Sequence, residues 1–502
     1  MLTLRKLSIL LAVVTATACA TTGIPPAATP VATDNAAALM AIPITTQSAK
    51  AREEFLLGLR DQDLERNVEA RAHFEAAVAA DPNFALGHLY DAFNATSLAA
   101  YRAHLDEAAR LAPQASPTEQ LWIRAEQRGL DGDVNGQLAL ASQLTTMTPT
   151  DPRALIYLAN VQFAAGRPAD ARATLLRATQ VSPNFAQSFI QLGNSYLVVE
   201  PSDPTKAETY IRQAMALEPN EPVVHDYMGD VYRAENQLIP ARTEYSRMIE
   251  LDPNRAGAYQ QRGHVNSFLG NFSDARADYD RAMNLAAPVD KMGLGLFRPL
   301  VNVYEGNPAA AEAELEQQVT TIDAMNLPNA VGAKLGALAY ETQIALHNKH
   351  LDVAQRAINR MTDLYRQQGE ASKSESFKRA SEANIDYWVG LLAARRGDFA
   401  KAREEAQQMM QKVAPNQNPR KNEGAHEVLG MADLLQGNFQ SAAGHLAEAN
   451  PDDIYVTYNR ALALEGAGRT AEAKALFRRV AGWNFNGADT ALIKKDAARR
   501  GG

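Results

Sequence analysis

The sequence has one cysteine in its 502 residues, so the chain cannot form an internal disulfide bond. Aromatic residues make up only 7% of it, and no basic block stands out against a formal net charge of −8. Without a basic patch, nucleic-acid binding has no electrostatic support. Beyond the N-terminus, no stretch approaches the roughly 18 apolar residues of a membrane-spanning helix. The chain is nevertheless 46% hydrophobic and rich in alanine, which predicts a folded, helical protein.

The N-terminal segment reads MLTLRKLSILLAVVTATACATTG. Two basic residues, a short and mainly apolar run and then small residues form the layout of a secretory signal peptide over residues 1–18. The letters ATAC, which end at Cys19, resemble the lipobox of bacterial lipoproteins, in which the cysteine is acylated and becomes the new N-terminus. Two alternatives stay open: ordinary signal cleavage after Ala20, and a cysteine that has no role.

The resemblance to lipoproteins also implies a location. In many Gram-negative lipoproteins an aspartate after the acylated cysteine retains the protein in the inner membrane, whereas this chain has Ala20. We therefore expect a periplasm-facing lipoprotein of the cell envelope, in the outer membrane. Residues 19–48 are mostly Ala, Thr and Pro with almost no charge, and they are predicted to form a flexible tether.

A repeat with a period of about 34 residues runs through the chain. Four similar turns begin GDVNGQLALASQL at 132, GRPADARATLLRA at 166, NQLIPARTEYSRM at 236 and GNFSDARADYDRA at 270. Prolines near the ends of four successive units, Pro149, Pro183, Pro219 and Pro253, are 34, 36 and 34 residues apart. Each unit therefore predicts two amphipathic helices joined by a turn and ended by proline. Such units stack into a solenoid, because none can bury its apolar face alone.

This pattern resembles the tetratricopeptide repeat family. Residues 222–253 carry it well, with Gly229 and Tyr232 on the first helix and Ala241 and Tyr245 on the second. The resemblance implies an all-α, right-handed α-solenoid of about ten to twelve helix-turn-helix repeats.

The resemblance also predicts the domain boundaries. A repeat array covers 49–320, with the best repeats at 119–288. A degenerate array follows at 321–482, and a C-terminal capping helix at 483–502.

The stretch LDGDVNG at 130–136 fits the start of a calcium loop, with Asp131, Asp133 and Asn135 on its first, third and fifth positions. The twelfth position, where such a loop needs an acidic ligand, is Ser142. The stretch is also in register with the other repeat turns. We therefore interpret it as a turn and predict no metal site there.

Other candidates for chemistry are equally weak. His347 and His350 fall near an interhelical turn without a third ligand nearby, which is typical of solvated turn histidines. The sequence has no phosphate loop and no HExxH or G-x-S-x-G pattern. We predict no catalytic residue and no cofactor, and we predict that the protein is not an enzyme.

In tetratricopeptide repeat proteins the first helices line a concave groove, so the resemblance implies a partner-binding stripe on these helices. Its residues are Asn160, Asn194, Asp230, Arg233 and His264. An asparagine amide can donate to and accept from a peptide backbone at once, which suits an extended peptide. The alternative is that these side chains are only exposed polar residues.

Together these observations predict a non-enzymatic envelope lipoprotein. It would act as a scaffold or assembly factor that binds a protein or peptide in the groove and contacts the membrane through its lipid anchor. One alternative is small-ligand or glycan binding in the groove. Another is an enzyme with a site in 288–390, which a continuous helical array through that segment would oppose.

Overall fold

A computed structural model describes residues 41–199, 201–327 and 330–502. All regular secondary structure in these ranges is helical. The helices are α1 (Ala49–Asp63), α2 (Asn67–Ala80), α3 (Ala85–Phe93), α4 (Leu98–Leu111), α5 (Pro117–Leu130), α6 (Val134–Met147), α7 (Pro152–Ala164), α8 (Pro168–Val181), α9 (Ala186–Val198), α10 (Pro204–Leu217), α11 (Pro222–Ala234), α12 (Leu238–Leu251), α13 (Ala256–Leu269), α14 (Phe272–Leu285), α15 (Pro288–Leu294), α16 (Arg298–Glu305), α17 (Pro308–Met325), α18 (Ala330–Asn348), α19 (Leu351–Ser372), α20 (Glu375–Arg396), α21 (Phe399–Val413), α22 (Glu423–Gln436), α23 (Phe439–Glu448), α24 (Ile454–Gly466), α25 (Thr470–Gly482) and α26 (Ala488–Gly501).

The helix ends follow the signals in the sequence. Helices α6, α8, α10 and α12 each end two residues before one of the four periodic prolines, because proline lacks an N–H and clashes inside a helix. Proline also begins helices, as Pro152 does in α7 and Pro222 in α11, where its fixed φ suits the first helical position. Consecutive helices pack as pairs along the chain. The predicted all-α solenoid of helix pairs is confirmed for the described residues.

Small residues let the two helices of a pair approach closely. A Cβ added at Gly229 of α11 would lie 2.4 Å from Cε1 of Tyr245 on α12, whose side chain is fully buried. In the next pair a Cβ at Gly263 would lie 2.9 Å from Cε1 of Tyr279. Protein interiors are close-packed, so any larger side chain at either glycine would push the helices apart.

The array is less regular after α14 but remains helical. Two short helices, α15 and α16, replace a single first helix and both pack against α17. Longer helices follow, and residues 288–327 and 330–390 continue the packed array.

The N-terminal end of the described chain is docked on the array. Ile42 is 1% exposed, and Oδ2 of Asp151 accepts from the backbone N–H groups of Ala41 and Ile42 at 2.8 and 3.2 Å. Thr45 donates from its backbone and side chain to Glu119. The predicted tether 19–48 was therefore drawn too long, because composition alone did not reveal the acidic side chains that hold residues 41–48.

The predicted signal peptide 1–18 and Cys19 lie outside the described residues. Within the described ranges, no helix combines the length and apolarity needed to cross a bilayer.

Candidate partner-binding groove

Helices α7, α9, α11 and α13 are the first helices of four consecutive pairs. We call the surface they form together the inner face; segments from both ends of the chain contact it. Asn160 on α7 is exposed and borders an open cavity, whereas Asn194 on α9 is partly buried. Of the five residues of the predicted stripe, Asn160 and Asn194 are therefore the two that remain at least partly exposed to solvent.

Asp230 and Arg233 on α11 form a buried polar cluster. Oδ1 of Asp230 accepts from Nη2 of Arg233 at 2.6 Å and from the hydroxyl of Tyr245 at 2.7 Å. The two residues are 8% and 2% exposed. Burial and the charge of Asp230 raise the pKa of the neighbouring Asp226, which accepts from Gln261 at 2.8 Å. The cluster fixes the Arg233 guanidinium in place.

His264 on α13 is 3% exposed and packs against the ring of Phe297, with 4.6 Å between centroids. Its Nδ1 lies 2.8 Å from the hydroxyl of Tyr279. Burial lowers the pKa of His264 well below its usual range, so the imidazole is neutral and its Nδ1 can accept hydrogen bonds.

A segment of the chain's own C-terminus covers these residues. Residues 483–487, which we call the clasp, run without regular secondary structure between α25 and α26. Nδ2 of Asn484 donates to the carbonyl of Arg233 and to Oδ1 of Asn236, both at 2.9 Å. The Arg233 guanidinium lies 4.8 Å from the centroid of the Phe485 ring, a cation–π contact.

Asn486 completes the clasp. Its Nδ2 lies 3.1 Å from both the Tyr279 hydroxyl and Nδ1 of His264, and its Oδ1 accepts from the Tyr304 hydroxyl at 2.8 Å. Helix α26 then packs on α24 and α25 and also on α16 and α18. The C-terminus therefore joins the end of the array to its middle.

The N-terminal helix pair also crosses the inner face. At the end of α1, Asp63 pairs with Arg153 on α7, with Nη2 to Oδ2 at 2.5 Å and Nε to Oδ1 at 3.2 Å. Leu64 belongs to the same apolar cluster as Phe485. The Tyr227 hydroxyl donates to Glu65 at 2.7 Å. Segments from both ends of the chain thus meet on the inner face.

The predicted stripe is therefore divided in the structure. Asp230, Arg233 and His264 lie on the first helices as predicted but are buried beneath the clasp, while Asn160 remains exposed. The repeat period gives no indication of the clasp residues Asn484, Phe485 and Asn486. The available signal was the run WNFN, which concentrates aromatic and amide side chains in an otherwise Ala-rich, charged C-terminus.

The structure also places the candidate metal ligands. Asp133 caps α6, with Oδ1 accepting from the N–H of Gly136 at 2.8 Å, and Gly132 before it adopts φ +75°. His347 and His350 are partly buried rather than fully solvated, and they contact Tyr455 and Glu312 respectively. No group of three or more metal-ligating side chains occurs within the described ranges.

The buried state of His264 predicts a pH effect on stability. Because its folded-state pKa lies below the unfolded value of about 6.5, the unfolded chain takes up a proton that the folded chain resists as pH falls. Stability contributed by neutral His264 is present above that pH and is lost below it. We expect the melting temperature of His264→Gln to fall less than that of the wild type between pH 7.5 and pH 5. The other titrating groups are the same in both proteins. An equal fall in the melting temperatures of His264→Gln and the wild type would therefore contradict a lowered pKa for His264.

Residues 256–288, which contain α13 and α14, match the family model described as a tetratricopeptide repeat. This unit is a tetratricopeptide repeat. Several other helix pairs also have a glycine with positive φ at the turn, or a glycine packed closely against the second helix.

Two curated proteins are similar over parts of the chain. A stretch of 188 residues is 28% identical to cellulose synthase operon protein C of Xanthomonas axonopodis pv. citri, covering 35% of this chain and 12% of that protein. A stretch of 84 residues is 33% identical to protein O-mannosyl-transferase TMTC1 of Mus musculus, covering 16% of this chain and 9% of that protein. Each match thus spans only a small part of the relative.

Solved structures align with the chain only loosely. The APC/C hetero-tetramer Cut9–Hcn1 aligns with 91% of this chain and 78% of its own, at 15% identity and a TM-score of 0.40. A thermophilic tetratricopeptide repeat protein of Thermus thermophilus aligns with 43% of this chain and 98% of its own, at 20% identity and a TM-score of 0.29.

Proposed function

We propose that the protein is a non-enzymatic scaffold of the bacterial cell envelope that binds an extended segment of a partner protein on its inner face. The observation that carries the proposal is the clasp, an extended segment that this face already holds in cis. Asparagine amides and an aromatic ring supply its contacts, at Arg233, Asn236 and His264. Tetratricopeptide repeat units provide the frame for such contacts.

The partner would bind on the part of the inner face that the clasp leaves open. Asn160 is exposed there and Asn194 is partly buried. Each asparagine amide offers a donor and an acceptor to a peptide backbone. A hydrogen bond between the amide and the backbone replaces the water that each group binds when free. The helical continuity of 288–327 and 330–390 supports a scaffold rather than an enzyme.

A double substitution tests the groove. Cross-linking in cells identifies the captured protein, and its affinity for purified Asn160→Ala/Asn194→Ala is then compared with wild type. Truncation leaves the partner's polar groups unpaired, at about 1–3 kcal/mol for each lost bond, so we expect at least about tenfold weaker binding. Asn83→Ala/Asn254→Ala, which changes two exposed turn asparagines, is the matched control. Equal affinity of all three proteins would remove the stripe from the proposal.

The envelope location rests on the lipobox-like ATAC sequence at Cys19. We propose that acylation of Cys19 anchors the protein in the outer membrane, facing the periplasm. In Cys19→Ala we expect the protein to leave the membrane fraction or to remain as an unprocessed precursor, by fractionation and immunoblotting. Processing and membrane association identical to wild type would instead favour ordinary cleavage after Ala20.

A further inference from the structure

A cavity of about 390 Å³ opens on the N-terminal half of the inner face. Its walls come from α1, α3 to α7, α9 and α20, and from the turn before α9. Seven aromatic side chains line it: Tyr90, Phe93, Tyr101, Trp122, Tyr157, Phe185 and Phe377. The Trp122 ring is central, with centroids 5.7 Å from Tyr90 and 5.2 Å from Tyr157. Cavities of this size and lining are typical of small-ligand sites.

Polar atoms without partners belong to the residues that line this cavity. The indole N–H of Trp122 and Nη1 of Arg153 have no acceptor among the described residues, although the two residues are only 3% and 8% exposed. Oε1 of Gln62 and Oε1 of Gln187 likewise have no donor there. A buried polar group is normally hydrogen-bonded, so these two donors and two acceptors are available to a bound molecule of mixed polarity.

Three ionisable acidic or basic side chains, Asp63, Glu126 and Arg153, line the cavity. Asp63 and Arg153 form a bidentate pair with each other. Glu126 accepts from the Tyr101 hydroxyl at 2.8 Å, and burial raises the pKa of its carboxyl, which favours the uncharged form. A charged ligand would lose its hydration without gaining a counter-ion. The ligand that fits is therefore uncharged.

We propose that this cavity binds a sugar unit of a neutral glycan. A sugar ring presents C–H faces to the aromatic walls, and each of its hydroxyls both donates and accepts, which matches the unpaired atoms of Trp122, Arg153 and Gln187. Gln62 of α1 and Phe377 of α20 border the cavity from distant parts of the chain. The cavity is therefore a bounded site and not a continuous groove along the first helices. The cavity also borders Asn160 of the proposed partner groove, but glycan binding would rest on Trp122, Arg153 and Gln187 and does not require the protein partner.

The test begins with the purified protein on an array of neutral and acidic glycans. The soluble oligosaccharide with the strongest signal is then titrated into wild type and variants by calorimetry. We expect a neutral glycan to bind, with affinity at least about fivefold lower in Trp122→Phe, which keeps an aromatic ring but removes the N–H. Gln187→Leu, which removes an acceptor without touching Trp122, should also weaken binding. Trp388→Phe, outside the cavity, should bind within about twofold of wild type.

Several results would overturn the glycan assignment. These are the absence of any neutral glycan signal for folded wild-type protein, a preference for acidic glycans, or unchanged affinity in both Trp122→Phe and Gln187→Leu. An array of tryptophan- and tyrosine-containing peptides is probed in parallel. Trp122-dependent capture of peptides in place of glycans would assign the cavity to a peptide side chain and reject the proposal.

Discussion

Phe485→Ala is expected to lower the free energy of unfolding by about 3–5 kcal/mol, as for a large aromatic ring removed from a core. The ring is 3% exposed and packs in one apolar cluster with Leu64. It also lies 4.9 Å from the Trp483 ring and under the guanidinium of Arg233. Its loss leaves a cavity where the two ends of the chain meet. Chemical denaturation of the purified protein measures the change.

An exposed apolar residue provides the control for this variant. Ile239 on α12 is 53% exposed, so Ile239→Ala should change the free energy of unfolding by no more than about 0.5 kcal/mol. If Phe485→Ala were as mild as Ile239→Ala, the clasp would contribute little to the folded state and its placement on the inner face would be in doubt.

Asp63→Ala should also be severe, at about 3–5 kcal/mol, because it leaves the Arg153 guanidinium buried and unpaired. The two side chains are 14% and 8% exposed. Burial raises the pKa of Asp63 even though Arg153 opposes the shift, so desolvation disfavours the charged carboxylate. We therefore expect the ion pair to add little net stability, whereas removal of Asp63 alone is costly because it leaves a buried, unpaired charge.

A double substitution separates these effects. Asp63→Leu/Arg153→Met removes both charges, so it should be less destabilising than Asp63→Ala alone. Glu250→Ala, which breaks an exposed pair with Arg247, should change stability by about 1 kcal/mol or less. If Asp63→Leu/Arg153→Met were at least as unstable as Asp63→Ala, the ion pair itself would stabilise the packing of α1 on α7. Both comparisons use the same denaturation measurement.

The repeat fold was predictable because its determinants are local and periodic. Gly229 and Tyr245 lie in one pair and recur one period later as Gly263 and Tyr279, where the same close approach is seen. The prolines mark helix ends for the same reason at each repeat. The helix pairs could therefore be read from spacing alone, without any knowledge of contacts between distant residues.

The candidate site was predictable only in part. Helical spacing placed Asp230 and His264 on the inner face, but spacing does not report what covers that face. Asn484 reaches Asn236 across 248 residues of sequence, and no period connects them. The docked residues 41–48 were missed for a similar reason, since Asp151 both caps α7 and binds Ala41. Aperiodic contacts of this kind depend on the path of the whole array.

The central claim, that the chain's own C-terminus occupies the inner face, is tested most directly by a cysteine pair. In a Cys19→Ala background, Asn236→Cys and Asn484→Cys would replace two side chains whose Nδ2 and Oδ1 atoms lie 2.9 Å apart. Oxidation of the folded protein should link them into a closed loop that migrates faster on a non-reducing gel, whereas Asn236→Cys with Gly444→Cys should not link. Two free thiols at 236 and 484 in the folded, oxidised protein would contradict the account.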